Sequence, residues 1–303
     1  MRPVPPASAR ERFRQGNRYR AEREWKRYEG TAQRDLFREL RDRFLSRHAP
    51  PAARAIDLGS GPGRFTGLLG SPSATRRIAL DIGRGMLQEL PVRWRATARA
   101  SPLPDRVRAD ASCPPFENGS FGIVAALGNI AGFEGAESDR FLDSLVSLVA
   151  PGGMLLLEVA PGPGERSRYL HRLPAGSVAR LLRSPPGVVV LRTTHEGFTE
   201  EPPRRSSPGE FRRIDPVELR VRLERAGFRV VETVAVAPAL GADAARAAAV
   251  RPDAKAWDHL LAVEETIGSS PDRWPRAAAV LLAARHAGDA GPAPTAGNSE
   301  KIP

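Results

Sequence analysis

One short segment combines an apolar run, an acid and three glycines at alternate positions. AIDLGSGPGRF covers residues 55–65, and its glycines are Gly59, Gly61 and Gly63. Glycine adopts positive φ values readily and has no Cβ atom, so a ligand can approach such a backbone closely. The pattern over 63–69 predicts a helix whose first N–H groups face that ligand. The segment therefore predicts a strand, a ligand-binding turn and a helix.

Nucleotide-type ligands are the natural candidates for this turn. A phosphate-binding P-loop needs a lysine where the chain has Phe65, which excludes that class. A dinucleotide fingerprint needs a third glycine where the chain has Arg64, so an NAD-type oxidoreductase is a strained alternative. A ligand with a ribose or a carboxylate fits the crevice beyond the strand's carboxyl end.

The rest of the chain alternates short apolar runs with helical patterns. The predicted strands are 54–58, 77–81, 107–110, 121–127, 154–159, 188–192, 228–236 and 277–284. The predicted helices are 21–48, 63–69, 85–90, 139–149, 216–226 and 242–267, the last interrupted near Pro252, and a turn is predicted at 151–153. This alternation is typical of an α/β fold with a doubly wound, mostly parallel sheet.

Composition divides the chain into one domain and peripheral segments. Residues 1–20 are rich in proline and arginine and are expected to form a flexible basic arm. Residues 21–287 are expected to form a single domain, in which 160–214 break the alternation and form a substrate cap. Residues 288–303 are small and polar and are expected to be disordered.

The net charge of +11 raises the question of nucleic-acid binding. Residues 1–48 hold 14 basic and 7 acidic residues, so most of the excess lies in the N-terminal segment. Only 3 of the 46 basic residues are lysines, a bias typical of GC-rich coding sequence. Nucleic acid is therefore the less favoured partner, and no pattern predicts an oligomeric state.

Cysteine and apolar content restrict the chemistry and the location of the chain. Cys113 is the only cysteine, which excludes an intrachain disulfide and a cysteine-based metal cluster. The first 15 residues lack the apolar segment of a secretory signal. The longest apolar runs, such as 277–284, are too short to span a bilayer. We expect a cytoplasmic protein with no membrane span and no bound metal.

The glycine segment resembles the first motif of class I methyltransferases, which use S-adenosylmethionine as cofactor. In that family an acid ends the first strand and the pattern GxGxG follows. Asp57, Gly59, Gly61 and Gly63 occupy these positions, with Ser60 between the first two glycines. The resemblance implies that this turn contacts the cofactor.

Two later segments resemble the family in the expected order. IALDIGRGML carries Asp81, where the family's acid binds the ribose hydroxyls, and Ile82 follows it. Met86 stands where the family often packs an apolar side chain on the adenine, or it belongs to the core. VRADAS carries Asp110 and Ala111, where the family meets the adenine amino group.

Further similarities extend over roughly 50–160 and 210–285. PPFENGSFGIVAALGN resembles the family's run into the fourth strand, although Gly122 stands where the family usually has an acid. LVAPGGMLLLEV and RLERAGFRVVE are similar to the turns before its fifth and sixth strands. The resemblance implies a Rossmann-like methyltransferase fold with seven strands, the last antiparallel, an N-terminal helical segment and an insertion after strand five.

The resemblance also places the loop after the fourth strand, starting at Gly128, beside the transferred methyl group. Methyl transfer needs a base only when the acceptor is a poor nucleophile, so no universal catalytic residue is expected. The candidate catalytic residues are Asn129, which orients an acceptor or braces the turn, Glu158 at the end of strand five, and His195 in the expected cap.

The N-terminal segment carries Trp25 and Tyr28, which either close the pocket as a lid or attach the helix to the sheet. We expect a methyltransferase that acts on a small-molecule acceptor. One alternative is an RNA or protein methyltransferase that recruits its substrate with the basic arm. Another is a cofactor-binding partner subunit without catalysis.

Overall fold

The structure, a computed structural model, does not cover every segment named above. It describes residues 18–71, 75–97, 101–128, 137–160, 191–194, 197–200, 214–240 and 243–288. Most of the predicted arm, most of the predicted cap and nearly all of the predicted tail lie outside the described residues.

Two helices precede the sheet, α1 (Arg18–Lys26) and α2 (Ala32–His48). The sequence predicted one continuous helix here, and that prediction is wrong in the middle. Gly30 adopts a φ of 86°, which ends helical geometry. Thr31 then starts α2 afresh, because its side chain accepts a hydrogen bond from the backbone N–H of Arg34.

Seven strands form one sheet, namely β1 (Arg54–Leu58), β2 (Arg76–Asp81), β3 (Asp105–Arg108), β4 (Phe121–Ala126), β5 (Val149–Val159), β8 (Phe228–Val236) and β9 (Ala279–His286). Their order in the sheet is β3-β2-β1-β4-β5-β9-β8. Strand β9 runs antiparallel to both of its neighbours, and β1 to β5 pair in parallel. The predicted α/β class and the seven-stranded, mostly parallel sheet with a last antiparallel strand are confirmed.

Helices cover both faces of this sheet. The remaining helices are α3 (Arg84–Ala96), α4 (Glu137–Leu148), α5 (Pro216–Arg225), α6 (Ala244–Val250) and α7 (Ala254–Gly268). Alternate strand residues separate into two cores, as the period of two requires. Ile56 and Leu58 pack with α4 and α5 on one face, and Ala55 packs with α2 and α7 on the other.

Helix α3 is longer than predicted and continues through Pro91. Proline has no N–H and therefore leaves the carbonyl four residues earlier without its helical donor. That carbonyl belongs to Leu87, and the Arg106 guanidinium donates to it at 3.2 Å. A side chain from β3 thus satisfies the group that proline leaves open.

Three local predictions are wrong. The helix predicted over 63–69 is only a 3-10 turn at Thr66–Leu68. The turn predicted at 151–153 lies inside β5, where Gly152 adopts a φ of 74° and the register with β4 shifts. The third strand ends at Arg108, two residues earlier than predicted.

The insertion after β5 is described in one part only. Strands β6 (Leu191–Thr194) and β7 (Gly197–Glu200) form an antiparallel hairpin that is separate from the main sheet. The predicted strand over 188–192 overlaps the start of β6.

None of the described helices has the length and apolar character needed to cross a membrane.

Candidate functional site

The turn after β1 is built from three glycines with positive φ. Gly59, Gly61 and Gly63 have φ values of 70°, 53° and 83°, which other residues rarely adopt. A Cβ atom on Gly61 would have no described atom within 4 Å, so this side of the turn opens into space. A Cβ atom on Gly63 would lie 2.8 Å from Cγ of Leu90, so Gly63 allows the turn to pack on α3.

Asp81 ends β2 and connects the glycine turn with the start of α3. Its Oδ2 atom accepts from the N–H of Gly61 at 2.8 Å. Its Oδ1 atom accepts from the N–H of Gly83 at 2.7 Å. These two bonds orient the carboxylate, and an oriented carboxylate is a suitable acceptor for the hydroxyls of a ribose.

Asp57 acts inside the turn. It is the residue before the last in β1 and is 3% exposed. Its Oδ2 atom accepts from the Thr66 hydroxyl at 2.5 Å, and Thr66 itself is fully buried. This bond ties the end of β1 to the residues after the glycines and therefore fixes the shape of the turn.

The segment after the turn differs from a dinucleotide site. A dinucleotide site places its pyrophosphate at the N-terminus of a helix that follows the glycines. Here the residues after the glycines form only the three-residue 3-10 turn, and the side chain of Arg64 contacts α1. The geometry therefore disfavours the NAD-type alternative.

The other residues assigned to the cofactor by resemblance lie at the same edge of the sheet. Met86 is 5% exposed in the first turn of α3, and Ile82 is half-buried just after Asp81. Asp110 lies beyond the end of β3, where it accepts from the Ser112 N–H at 3.0 Å and the Ser112 hydroxyl at 2.8 Å. Ala111 is half-buried and packs against the core.

A buried ion pair lies at the end of β5. The Arg41 Nε atom donates to Oε2 of Glu158 at 2.9 Å, and its Nη2 atom donates to Oε1 at 2.6 Å. The two side chains are 5% and 4% exposed. Oε2 of Glu158 also accepts from the N–H of Gly128 at 3.0 Å, so the pair reaches the loop after β4.

The electrostatics of this pair fix the protonation state of Glu158. Burial on its own raises the pKa of the Glu158 carboxyl, but the charge and hydrogen bonds of Arg41, together with the Gly128 N–H, lower it below its usual value. Burial also raises the pKa of the nearby Tyr28 hydroxyl, and the charge of Glu158 adds to this effect. Glu158 is therefore ionised, and both of its oxygens are hydrogen-bonded.

The segment that carries Trp25 and Tyr28 packs on the glycine turn. The Arg64 guanidinium lies 3.9 Å from the Trp25 ring centroid and donates to the Trp25 carbonyl at 2.7 Å. It also donates to the Glu29 carboxylate at 2.7 Å. Tyr28 packs edge-to-face on Phe65, with the ring centroids 5.3 Å apart. Both Trp25 and Tyr28 are buried.

Sequence reasoning missed the two arginines that organise these contacts. Arg41 lies within the apolar stripe of α2, between Leu40 and Phe44, and a charge at such a position needs a buried partner. This charge within an apolar stripe was the sequence signal from which a buried ion pair could have been predicted. From the sequence, Arg64 was noted only as the residue that stands where a dinucleotide fingerprint has its third glycine. Two candidate residues, Asn129 and His195, lie outside the described part of the chain.

Residues 55–153 match the family model of a methyltransferase domain. A malonyl-[acyl-carrier protein] O-methyltransferase from Methylococcus capsulatus is 35% identical over 133 residues. The match covers 42% of this chain and 45% of that protein, so it spans less than half the length of either.

Two solved structures resemble most of the chain. Magnesium protoporphyrin IX methyltransferase from Synechocystis PCC 6803, solved with S-adenosylhomocysteine (SAH), is 14% identical with a TM-score of 0.51, covering 88% of this chain and 94% of that chain. An S-adenosylmethionine-dependent methyltransferase from Clostridium acetobutylicum ATCC 824 is 9% identical with a TM-score of 0.50, covering 90% and 100%. At such low sequence identity, the two similarities show a shared fold and do not show a shared activity. The chain therefore shares the fold of these two methyltransferases, and its residues 55–153 match the model of a methyltransferase domain.

Proposed function

We propose that this chain binds S-adenosylmethionine at the carboxyl ends of β1 to β4 and transfers its methyl group to a small-molecule acceptor. The observation that carries the proposal is the position of Asp81. Its two oxygens accept from the N–H groups of Gly61 and Gly83, and a Cβ atom on Gly61 would have no described atom within 4 Å. We assign the ribose diol of the cofactor to this carboxylate.

The predicted cofactor residues other than Asp81 and Gly128 receive the following roles in this proposal. The backbones of Gly59, Ser60 and Gly61 approach the cofactor, and Gly63 and Asp57 hold the turn in shape. The adenine end is assigned to a neighbouring group on β2, α3 and the loop after β3. That group is Ile82, Met86, Asp110 and Ala111.

When bound, S-adenosylmethionine supplies a methyl group on a positively charged sulfur, which makes the carbon reactive without help from the protein. The residues of the chain therefore have to align the acceptor and exclude water. Glu158 is a poor candidate for a base, because Arg41 lowers its pKa, which weakens it as a base, and its side chain is only 4% exposed. Asn129 and His195 are retained as candidates on the acceptor side.

Two findings support a small-molecule acceptor. The insertion that contains the β6–β7 hairpin follows β5 in the chain, and β5 ends at the edge of the sheet that carries the site. The Methylococcus capsulatus relative is named for a malonyl group on an acyl carrier protein. A malonyl thioester is therefore the first acceptor to test, and its free carboxylate is the proposed methyl acceptor.

The test is a transfer assay with S-adenosylmethionine labelled in the methyl group. The full chain is incubated separately with malonyl-acyl carrier protein, small dicarboxylic acids, total RNA and a protein extract. We expect label on a carboxylate, as a base-labile methyl ester, and at least a tenfold lower yield with Asp81→Ala.

Three other outcomes would contradict parts of the proposal. Label on RNA that is lost when residues 1–17 are removed, with steep salt dependence, would favour the alternative of a nucleic-acid enzyme. Label on side chains of the extract proteins would favour a protein methyltransferase. Tight SAH binding without label on any acceptor would favour the partner subunit.

A further inference from the structure

We propose that the Tyr28 hydroxyl binds the methyl acceptor by donating a hydrogen bond to one oxygen of a carboxylate on that acceptor. The inference rests on the proposed function and deepens it, because it assigns an acceptor contact to a described residue. Tyr28 lies in the turn between α1 and α2, outside the residues 55–153 that match the methyltransferase domain. The contact therefore comes from the N-terminal segment and not from the matched domain.

The Tyr28 hydroxyl has no partner in the part of the chain that the structure describes. The residue is only 9% exposed, yet its hydroxyl makes no hydrogen bond with a described residue, and the oxygen is not fully enclosed either. Such a group is unusual, because nearly all buried polar atoms are hydrogen-bonded. The Tyr28 hydroxyl therefore has a free donor proton at the border of an open space.

This hydroxyl lies beside the residues that follow β4. A Cβ atom on Gly128 would lie 3.8 Å from the Tyr28 hydroxyl oxygen. In the proposed function the ribose lies at Asp81, which ends β2, and the adenine lies near the loop after β3. The strand order β3-β2-β1-β4 then directs the sulfur end of the cofactor toward β4. The Tyr28 hydroxyl is thus at the end of the site from which the methyl group is transferred.

The Tyr28 ring is held by side chains from two other segments. It packs edge-to-face on Phe65 of the glycine segment, with the ring centroids 5.3 Å apart. The guanidinium carbon of Arg41 on α2 lies 5.3 Å from the Tyr28 ring centroid, and that of Arg64 lies 5.9 Å from it. These contacts fix the direction in which the hydroxyl points.

The backbone on either side of Tyr28 is held by a third arginine. The Nη1 atom of Arg34, in the first turn of α2, donates to the Lys26 carbonyl at 3.2 Å and to the Glu29 carbonyl at 3.0 Å. Ring and backbone are therefore both fixed without a ligand. A donor that is already in place loses little conformational freedom when it binds an acceptor.

The surroundings of Tyr28 keep its hydroxyl protonated. Burial raises the pKa of this hydroxyl above its usual value, and the charge of Glu158 adds to the effect. The charges of Arg41 and Arg27 oppose it, and the charge of Glu24 adds to it, but the pKa remains raised. At neutral pH the Tyr28 hydroxyl is therefore a hydrogen-bond donor and not a base.

A carboxylate acceptor needs a donor of this kind and no base. One oxygen of the carboxylate forms a bond to the methyl carbon, the carbon–sulfur bond breaks, and its electron pair stays on sulfur. The products are a methyl ester and SAH, and no proton moves. The Tyr28 hydroxyl donates to the second oxygen and so orients the first. Because this hydrogen bond is strongest while the acceptor is charged, it contributes more to acceptor binding than to the chemical step.

The test is Tyr28→Phe, which keeps the ring and removes only the oxygen. With malonyl-acyl carrier protein as acceptor, we expect KM to rise about tenfold, equivalent to about 1.4 kcal/mol, with little change in kcat. The affinity for SAH, measured by calorimetry, should stay unchanged. The ratio of wild-type to variant kcat/KM should be constant from about pH 7 to about pH 9, because the hydroxyl stays protonated over this range.

Two controls separate this effect from a loss of stability. Tyr28→Phe should unfold at a urea concentration no lower than that of wild type, because the hydroxyl has no partner among the described residues. Thr266→Val removes an exposed hydroxyl on α7 that donates to the Ala262 carbonyl at 2.8 Å. It should leave KM and SAH affinity unchanged.

Several results would overturn the inference. A loss of SAH affinity in Tyr28→Phe would show that the hydroxyl binds the cofactor instead, and an unchanged KM would show that Tyr28 only packs. A wild-type to variant ratio that rises with pH would show a base and not a donor. If the wild-type chain binds SAH but does not methylate malonyl-acyl carrier protein, the inference fails while the cofactor part of the proposed function stands. If it does not bind SAH, the proposed function itself fails.

Discussion

The glycine turn and helix α2 are attached to the same site by different kinds of contact. The turn is held by backbone groups, such as the N–H groups of Gly59 and Ser60 that both donate to the Leu80 carbonyl. Helix α2 packs on the sheet through its apolar stripe, but its link to the site is a charged side chain, Arg41, which reaches a carboxylate 117 positions away. The first kind of contact leaves a local pattern of residues in the sequence, whereas the second does not.

The largest expected effect comes from breaking the buried contact of α2. Glu158→Ala leaves the Arg41 charge buried without its partner, and we expect the free energy of unfolding to fall by about 3–5 kcal/mol. Glu232→Ala removes a carboxylate that is 26% exposed, and we expect a loss below about 1 kcal/mol. Urea unfolding of both variants measures the difference, and equal losses would show that the Arg41 contact is not special.

The second effect concerns the turn. Asp81→Ala removes the acceptor shared by two backbone N–H groups and the proposed ribose contact. We expect SAH affinity to fall about tenfold or more, at least about 1.4 kcal/mol, while the chain stays folded. Asp105→Ala is the matched control, since Asp105 is half-exposed and pairs with Arg76 at the other end of β3. An unchanged affinity for Asp81→Ala would remove Asp81 from the ribose role.

The third effect lies between the two regions, at Arg64. Arg64→Ala removes a cation–π contact with Trp25 and two hydrogen bonds, together worth about 1–3 kcal/mol. We expect backbone amides of α1 to exchange their hydrogens roughly tenfold faster or more, with α2 little changed. Arg43→Ala, which loses an exposed contact to Asp258, is the control. Unchanged exchange in α1 would mean that Arg64 does not attach it.

The smallest effect is the pH dependence of the outer contact of α2. The hydrogen bond from His48 lowers the pKa of Glu232 below its usual value; partial burial opposes this effect, and the charge of Arg47 adds to it. A carboxyl whose pKa is lowered by folding stabilises the fold above its unfolded pKa, and this contribution disappears as the pH falls through the lower folded value. Wild type should therefore exceed Glu232→Gln in unfolding free energy at pH 7, and the gap should close below about pH 4. A difference in unfolding free energy that grows as the pH falls would contradict this prediction.

The strand pattern of this chain was predictable because local sequence determines it. β1 was predicted residue for residue, since five residues with an apolar core lead directly into glycines that cannot extend the strand. The break between α6 and α7 near Pro252 was also predicted, because a proline interrupts the hydrogen bonds of a helix. The break between α1 and α2 was missed, because the apolar stripe continues on both sides of Gly30.

The candidate site was predictable where one residue carries its own signal. Asp81 follows an apolar run, so its place at the end of β2 could be read from the sequence. The partners of Arg41 and Arg64 depend on how distant segments pack, and one sequence contains no information on which carboxylate or ring lies opposite. The short 3-10 turn after the glycines was missed because seven residues support a helical pattern and a tight turn equally well.

The central claim is that the edge of the sheet at β1 and β2 binds S-adenosylmethionine rather than a dinucleotide. Calorimetric titration of the full chain with SAH and, separately, with NADH tests it most directly. We predict one SAH site per chain, weakened by Asp81→Ala, and no heat of binding with NADH. Tight binding of NADH together with no binding of SAH would contradict the account.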